Sequence, residues 1–179
     1  MKFGVIILQI KQCTCCFFGH RKITITDRLI RRLYNIVEEL IINKKIDTFL
    51  FGSKSEFDKL CVDTVTNLKN KYPYIRRVYV RAEFPCINND YKKYLSEFYD
   101  ETYYPQRIEK AGRAKYIERN FEMINNSQYC IIYFDKKHLP SKKTLTSLNP
   151  NNSVSKSGTQ LAYEYAKKKE LQIINLFYE

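Results

Sequence analysis

The stretch Lys156-Ser157-Gly158-Thr159 carries residue types suited to holding an anion. It closes a long polar loop and leads into Gln160-Leu161-Ala162-Tyr163-Glu164-Tyr165-Ala166, a run of helical composition. A helix that opens at Gly158 presents unpaired N–H groups and the positive end of its dipole to whatever lies in front of it. Thr159 adds a hydroxyl that can cap the helix start, and Lys156 adds a cation. Two further turns have the same make-up: Gly19-His20-Arg21 and Gly52-Ser53-Lys54-Ser55 each follow an apolar run. Together the three turns offer backbone N–H groups, the hydroxyls of Ser53, Ser55, Ser157 and Thr159, and the cations Arg21, Lys54 and Lys156. That set suits a phosphate or ribose phosphate. His20, at a strand end, suits contact with a sugar or base as well as it suits a structural role. No Gly-x-x-x-x-Gly-Lys-Ser/Thr loop occurs, and Gly19 lacks the partners of a Gly-x-Gly-x-x-Gly fingerprint. These absences argue against a Walker-type ATP site and an ordinary dinucleotide site.

The elements that must position these turns can be read from periodicity. Cys13–Phe18 reads as a buried strand. Leu29, Leu33, Ile36, Val37, Leu40 and Ile41 repeat at helical spacing after a cap at Thr26 or Asp27. Asp47–Phe51 is a second strand, Phe57–Leu68 marks a second helix closed by Tyr72-Pro73, and Val78–Ala82 is a third strand. Residues 83–111 break the rhythm, with a short helix expected near Tyr91–Tyr99 and an extended piece at Glu101–Tyr104. A helix follows Gly112 to about Asn126, Tyr129–Phe134 is a fourth strand, and the Gly158 helix leads to a last strand at Leu171–Phe177. Alternating strands and helices with short connections predict an α/β fold. The expected architecture is a Rossmann-like three-layer α/β/α sandwich around a mostly parallel sheet of about five strands. The chain has only five glycines. Gly19, Gly52 and Gly158 all fall between a strand and the next helix, at the edge where open α/β sheets bind ligands. The loop at 135–157 is long enough to act as a lid over that edge.

Composition narrows the class further. A chain of 179 residues with 44% apolar content suits one domain with a real core, here residues 13–179, preceded by a short extension at 1–12 that is either an edge strand or a leader. Net charge +12 points to an anionic partner: a nucleotide, a nucleic acid or an acidic surface. The six cysteines lack paired ligand spacing, so neither a metal nor a separate cofactor is expected. Cys15, Cys16, Cys61 and Cys130 lie in apolar runs as small buried hydrophobes, and reduced thiols suit a cytoplasmic protein. No apolar stretch is long enough to span a membrane.

Several short motifs occur in a particular order: Cys15-Cys16-Phe17-Phe18-Gly19-His20-Arg21, Gly52-Ser53-x-Ser55-Glu56-Phe57-Asp58, Tyr103-Tyr104-Pro105, Arg119-Asn120-x-x-Met123 and Lys156-Ser157-Gly158-Thr159. As a set they resemble the YpsA/YoqJ-like branch of the SLOG superfamily, named for the Smf/DprA and Lonely Guy (LOG) proteins. The resemblance runs from about Cys13 to the C-terminus. It implies a Rossmann-like fold that binds nucleotides or nucleotide-derived ligands, commonly as a homodimer. The LOG enzymes cleave the N-glycosidic bond of nucleoside monophosphates with an Arg-Lys-x-x-Met helix and a Gly-Gly-x-Gly-Thr-x-x-Glu loop. Arg119 and Met123 match the first, with Asn120 in place of Lys. Gly158-Thr159 matches the second, but Val154-Ser155-Lys156 replaces the upstream glycines and Ala162 stands where the catalytic Glu is expected. Glu164 lies two residues on, about 200° round the helix. Glu56 and Asp58 are the carboxylates left to consider, either for chemistry at a ribose carbon or as helix N-terminal acids. Arg119 and Glu56 are therefore the candidate catalytic residues.

Three functions follow in order of preference. The first is binding or sensing of a nucleotide-derived small molecule, with Gly19, His20, Arg21, Gly52, Ser53, Ser55, Arg119 and Lys156 to Thr159 around it. The second is a nucleotide N-glycosidase using Arg119. The third is binding of single-stranded nucleic acid, which the charge allows but no recognition motif supports.

Overall fold

The computed structural model describes residues 13–137 and 156–177. The extension at 1–12 and residues 138–155 of the expected lid lie outside the described residues. Six strands form one sheet, β1 (Thr14–Gly19), β2 (Thr48–Phe51), β3 (Arg76–Val80), β4 (Glu101–Tyr103), β5 (Tyr129–Tyr133) and β6 (Gln172–Asn175), in the order β4-β3-β2-β1-β5-β6. Every pairing is parallel. The five helices are α1 (Asp27–Lys44), α2 (Glu56–Lys71), α3 (Asn89–Phe98), α4 (Lys115–Asn125) and α5 (Gly158–Lys168). No helix among the described residues is long and apolar enough to cross a membrane.

Strand alternation divides the core in two. Cys15, Phe17, Phe49, Phe51 and Tyr79 face α1, α2 and Leu95 of α3. Cys16, Phe18, Leu50, Val78, Val80 and Ile132 face Met123 and Ile124 of α4 and Ala162 and Ala166 of α5. The result is the expected α/β/α sandwich, with helices switching face between β1 and β5. β1 is followed outward by β2 on one side and flanked by β5 on the other, so the strand order reverses between β1 and β5, the place where open α/β sheets bind ligands.

Four helix starts are capped by side chains, and the Gly158 helix is capped by Ser157 rather than by Thr159 as expected, because the Thr159 hydroxyl is spent on Gly19 O. Thr26 accepts from Leu29 N at 3.2 Å, Ser55 from Asp58 N at 3.0 Å, Asn88 from Tyr91 N at 2.9 Å and Ser157 from Gln160 N at 3.1 Å.

Two details depart from the expected sheet. The extended piece at 101–103 is a sixth strand, paired to β3 with Val78 beside Glu101 and Val80 beside Tyr103. The third strand also begins at Arg76 rather than Val78. The early start of β3 comes from β2, where Arg76 N donates to Asp47 O at 2.7 Å and Arg76 lies beside Thr48; the place of β4 has another cause. Asp100 accepts from Arg77 N at 2.8 Å and from the Arg77 guanidinium at 3.1 Å, while Lys69 of α2 reaches it at 3.1 Å. Burial pushes the Asp100 carboxyl up, but these donors more than offset it and bring it down to about 2. Paired charges thus anchor a strand too short to carry a hydrophobic period.

Gly19 shows why one glycine stands on this edge. A Cβ there would collide with the ring of Phe57, which packs directly over the end of β1. Gly19→Ala is expected to cost about 1–3 kcal/mol in urea denaturation, and Phe57→Leu in the same chain should return part of it. A neutral Gly19→Ala would refute the close packing.

Candidate functional site

The three expected turns do meet at the C-terminal edge of the sheet. Thr159 donates its hydroxyl to Gly19 O at 2.9 Å, joining the start of α5 to the end of β1. Glu56 N donates to Arg21 O at 3.0 Å, and the Glu56 carboxylate accepts from Ile23 N at 2.9 Å, joining the β1 loop to α2. The Ser53 hydroxyl accepts from Ser55 N at 3.1 Å and shapes the β2–α2 turn. These bonds leave different residues with different freedom. Ser157 caps α5, and the first rung of the helical ladder runs from Leu161 N to Ser157 O. The Gly158 and Thr159 N–H groups precede that rung. Among the described residues nothing lies within 4 Å of where a Gly158 Cβ would stand. Lys156 pairs with Glu164 at 2.7 Å, both well exposed. The side chains of Arg21 and Lys54 stand exposed on the same edge.

His20 is buried at the switch between β1 and β5. Its Nε2 accepts from Asp135 N at 2.9 Å, so the neutral ring carries its proton on Nδ1. It packs against the rings of Tyr133 and Phe134. A cavity of about 300 Å³ opens beside it, lined by His20, Lys22, Ile23, Thr24, Tyr133, Asp135 and Phe177.

Arg119 is placed differently from the expectation of an open ligand contact. It rises from α4 and is 4% exposed. Its Nη1 donates to Gly52 O and, at 3.2 Å, to Val80 O; its Nε donates to Asn120 Oδ1 at 2.9 Å. A Cβ at Gly52 would strike the guanidinium, so the room left by that glycine is filled by Arg119. Burial pulls the Arg119 value down and neighbouring Tyr79 and Asp58 pull it back; a guanidinium so placed keeps its charge.

Asp58, on the first turn of α2, is 2% exposed. Burial pushes its carboxyl up to about 7, against the opposing pull of Arg119 and of the Ser53 and Gly52 N–H groups. Among the described residues its Oδ1 has no hydrogen-bond partner, and neither has the hydroxyl of Tyr79 at the end of β3. Both line a second cavity, of about 500 Å³, between α2 and α3. Tyr79 and the aromatic face of α3 were not among the sequence candidates. The signal was there: Tyr91, Tyr94 and Phe98 recur at helical spacing, and Tyr79 is the polar-tipped residue at the inward position of β3. Tyr103, from the Tyr103-Tyr104-Pro105 motif, packs against the α4–α5 side of the core. Ala162, at the position where the LOG motif carries Glu, is fully buried there too. Among the described residues no group of His, Cys, Asp and Glu could hold a metal ion. Cys15, Cys16, Cys61 and Cys130 are buried thiols.

Fold and edge together define a doubly wound parallel α/β protein with a polar crevice at its topological switch point. No protein-family model matches the chain, and no curated protein matches it.

Two outcomes follow for the buried pair. An acid with a folded-state value above its unfolded value holds its proton more tightly when folded. The Asp58 contribution is therefore full below about pH 4 and is lost as pH rises through about 7. Melting temperatures from pH 4 to pH 8 should show the wild type falling relative to Asp58→Asn; a constant gap would refute it. Arg119→Met, which strips two strand-end carbonyls of their donor, is expected to cost about 3–5 kcal/mol in denaturant unfolding.

Proposed function

We propose that the chain binds a nucleotide-derived small molecule, with the phosphate held in front of α5 at the switch between β1 and β5. The observation that carries this reading is the bond from Thr159 to Gly19 O, which sets an open helix start directly beside the end of β1. At that point the Gly158 and Thr159 N–H groups and the helix dipole favour an anion. Arg21, Lys22 and Lys54 add positive charge along the same edge. An open hollow beside His20 lies on the same edge. The fold is also the one that the SLOG resemblance implies, and binding of nucleotide-derived ligands is what that resemblance suggests.

Binding is favoured over glycosidic cleavage for a chemical reason. Cleavage builds positive charge at the ribose carbon and needs a carboxylate facing it. Ala162 offers none, the Glu56 carboxylate holds the Ile23 N–H, and the Arg119 guanidinium is occupied by carbonyls.

Gly158→Pro isolates the helix start. Gly158 is the first helical residue, a position proline fits, and Ser157 before it is extended at φ −68°, ψ 155°. The substitution removes one N–H without breaking the helix. In a thermal-shift panel of nucleoside monophosphates, ADP-ribose, cyclic nucleotides and a short single-stranded DNA, one phosphate-bearing small ligand should raise the wild-type melting temperature. Gly158→Pro should melt like wild type and bind that ligand about tenfold more weakly. A shift with DNA alone, vanishing with salt, would replace this reading with nucleic-acid binding. Release of free base, lost in Glu56→Gln, would replace it with hydrolysis.

A further inference from the structure

The larger cavity on this edge has features that a structural role does not account for. Left buried without a partner, a polar atom costs about 1–3 kcal/mol, and folded proteins keep few of them. Among the described residues three side-chain atoms are in this state, and two of them, Asp58 Oδ1 and the Tyr79 hydroxyl, belong to residues lining this one cavity. Both residues are 2% exposed. One is an acceptor and the other, whose ionisation burial drives well above the usual tyrosine range, keeps its proton and is a donor.

The walls are aromatic. Tyr79 stacks on Tyr99 with centroids 4.9 Å apart and planes at 29°. On α3, Tyr91 stacks on Tyr94 at 6.1 Å and 15°, and Tyr94 meets Phe98 edge-on at 5.5 Å. Tyr94 is 54% exposed and Phe98 42%. Half-exposed rings along an apolar slot, whose lining also includes the residues that carry an unpaired donor and acceptor, match the needs of a flat heterocycle. The rim includes Ser53, Lys54 and Ser55, so the cavity opens onto the β2–α2 turn. Lys54 and Lys59 on that rim are balanced by Glu56 and Asp63. With Arg119 also acting on Asp58, a cationic ligand is disfavoured and a neutral ring is not.

We propose that this cavity is a base-recognition subsite: an aminopyrimidine edge, as in adenine or cytosine, donates its amino N–H to Asp58 Oδ1 and accepts from the Tyr79 hydroxyl at its ring nitrogen, while the ring stacks on α3. The proposal rests on the nucleotide reading above for the other end of the ligand.

Tyr79→Phe tests it cleanly, because it removes the hydroxyl and keeps the ring. If the hydroxyl serves only the fold, removing an unpartnered polar atom leaves every binding constant alone. Calorimetric titrations would use adenosine, cytidine, uridine, ribose 5-phosphate and AMP against the wild type, Tyr79→Phe and Tyr94→Ala. Adenosine or cytidine should bind, and more tightly than uridine, with a further gain from the phosphate of AMP. Tyr79→Phe should weaken nucleoside and AMP about tenfold at an unchanged or higher melting temperature. Tyr94→Ala should weaken them about 5- to 100-fold. Ribose 5-phosphate binding as well as AMP, with Tyr79→Phe silent, would overturn the subsite and leave the nucleotide reading standing. Adenosine binding that depends on Tyr79 but gains nothing from phosphate would uphold the subsite and remove the nucleotide reading. No nucleoside binding, uridine equal to adenosine, or a lower melting temperature in Tyr79→Phe would each overturn the assignment.

Discussion

A single buried guanidinium joins the layers of this protein at its functional edge. Arg119 belongs to α4 on one face of the sheet, bonds the carbonyls that end β2 and β3, and acts electrostatically on Asp58 of α2 on the opposite face. Taking such a charge out of water is costly, and a buried ionic arrangement adds little net stability over a well-packed apolar one. What it adds is geometry. The carbonyls at the ends of two parallel strands have no further strand residue to satisfy them, and the guanidinium supplies a rigid fork of donors there. Gly52 follows from this contact, since no other residue leaves room for the fork. So does the depth of Asp58, which lies under the turn that Gly52 and Ser53 make.

The same constraint separates positioning from contact on this edge. Glu56, Thr159, His20 and Arg119 each spend a polar group on another loop: Ile23 N, Gly19 O, Asp135 N and the strand-end carbonyls respectively. They hold the turns in register. Among the described residues, groups not spent in this way include the N–H groups ahead of the α5 ladder, the exposed cations of the β1 and β2 turns, and the buried Asp58 Oδ1 and Tyr79 hydroxyl. Buried groups without a partner are uncommon in folded proteins, so these call for an explanation where the surrounding loops are otherwise cross-bonded.

Much of the scaffold was legible in the sequence because it is locally periodic. α1 and α2 carry apolar residues at helical spacing and capping residues at their starts, and β1, β2 and β5 are short apolar runs of the kind buried parallel strands require. β4 was visible only as an extended piece, because its place in the sheet depends on Arg77 and Asp100, 23 residues apart in the chain. Glycine position was informative about where the edge lies and misleading about what approaches it. Gly19 and Gly52 make room for Phe57 and Arg119, and a glycine in a sequence says that something comes close without saying what. The burial of Arg119 was illegible for a related reason: its acceptors are 67 and 39 residues away, and on a helical wheel it reads as a solvated charge.

Asp58 brings these strands together. A carboxylate meant to stabilise a developing cation must stay ionised and face the reacting carbon. Burial works against that here, since it lifts the group to about 7 even with Arg119 beside it. Near neutral pH the residue stands between its two forms, and a ligand that donates a hydrogen bond to Oδ1 selects the ionised one. Occupancy and proton release would then be linked, with the basic neighbour stabilising the charge that the ligand calls up. Such an environment suits recognition of a neutral, hydrogen-bonding ring better than it suits catalysis at a sugar. It also gives a physical reason for a costly acid beside an aromatic slot: Arg119 fixes the strand ends, the turn at Gly52 and Ser53 donates to the buried Asp58, and the residue lines the space between α2 and α3.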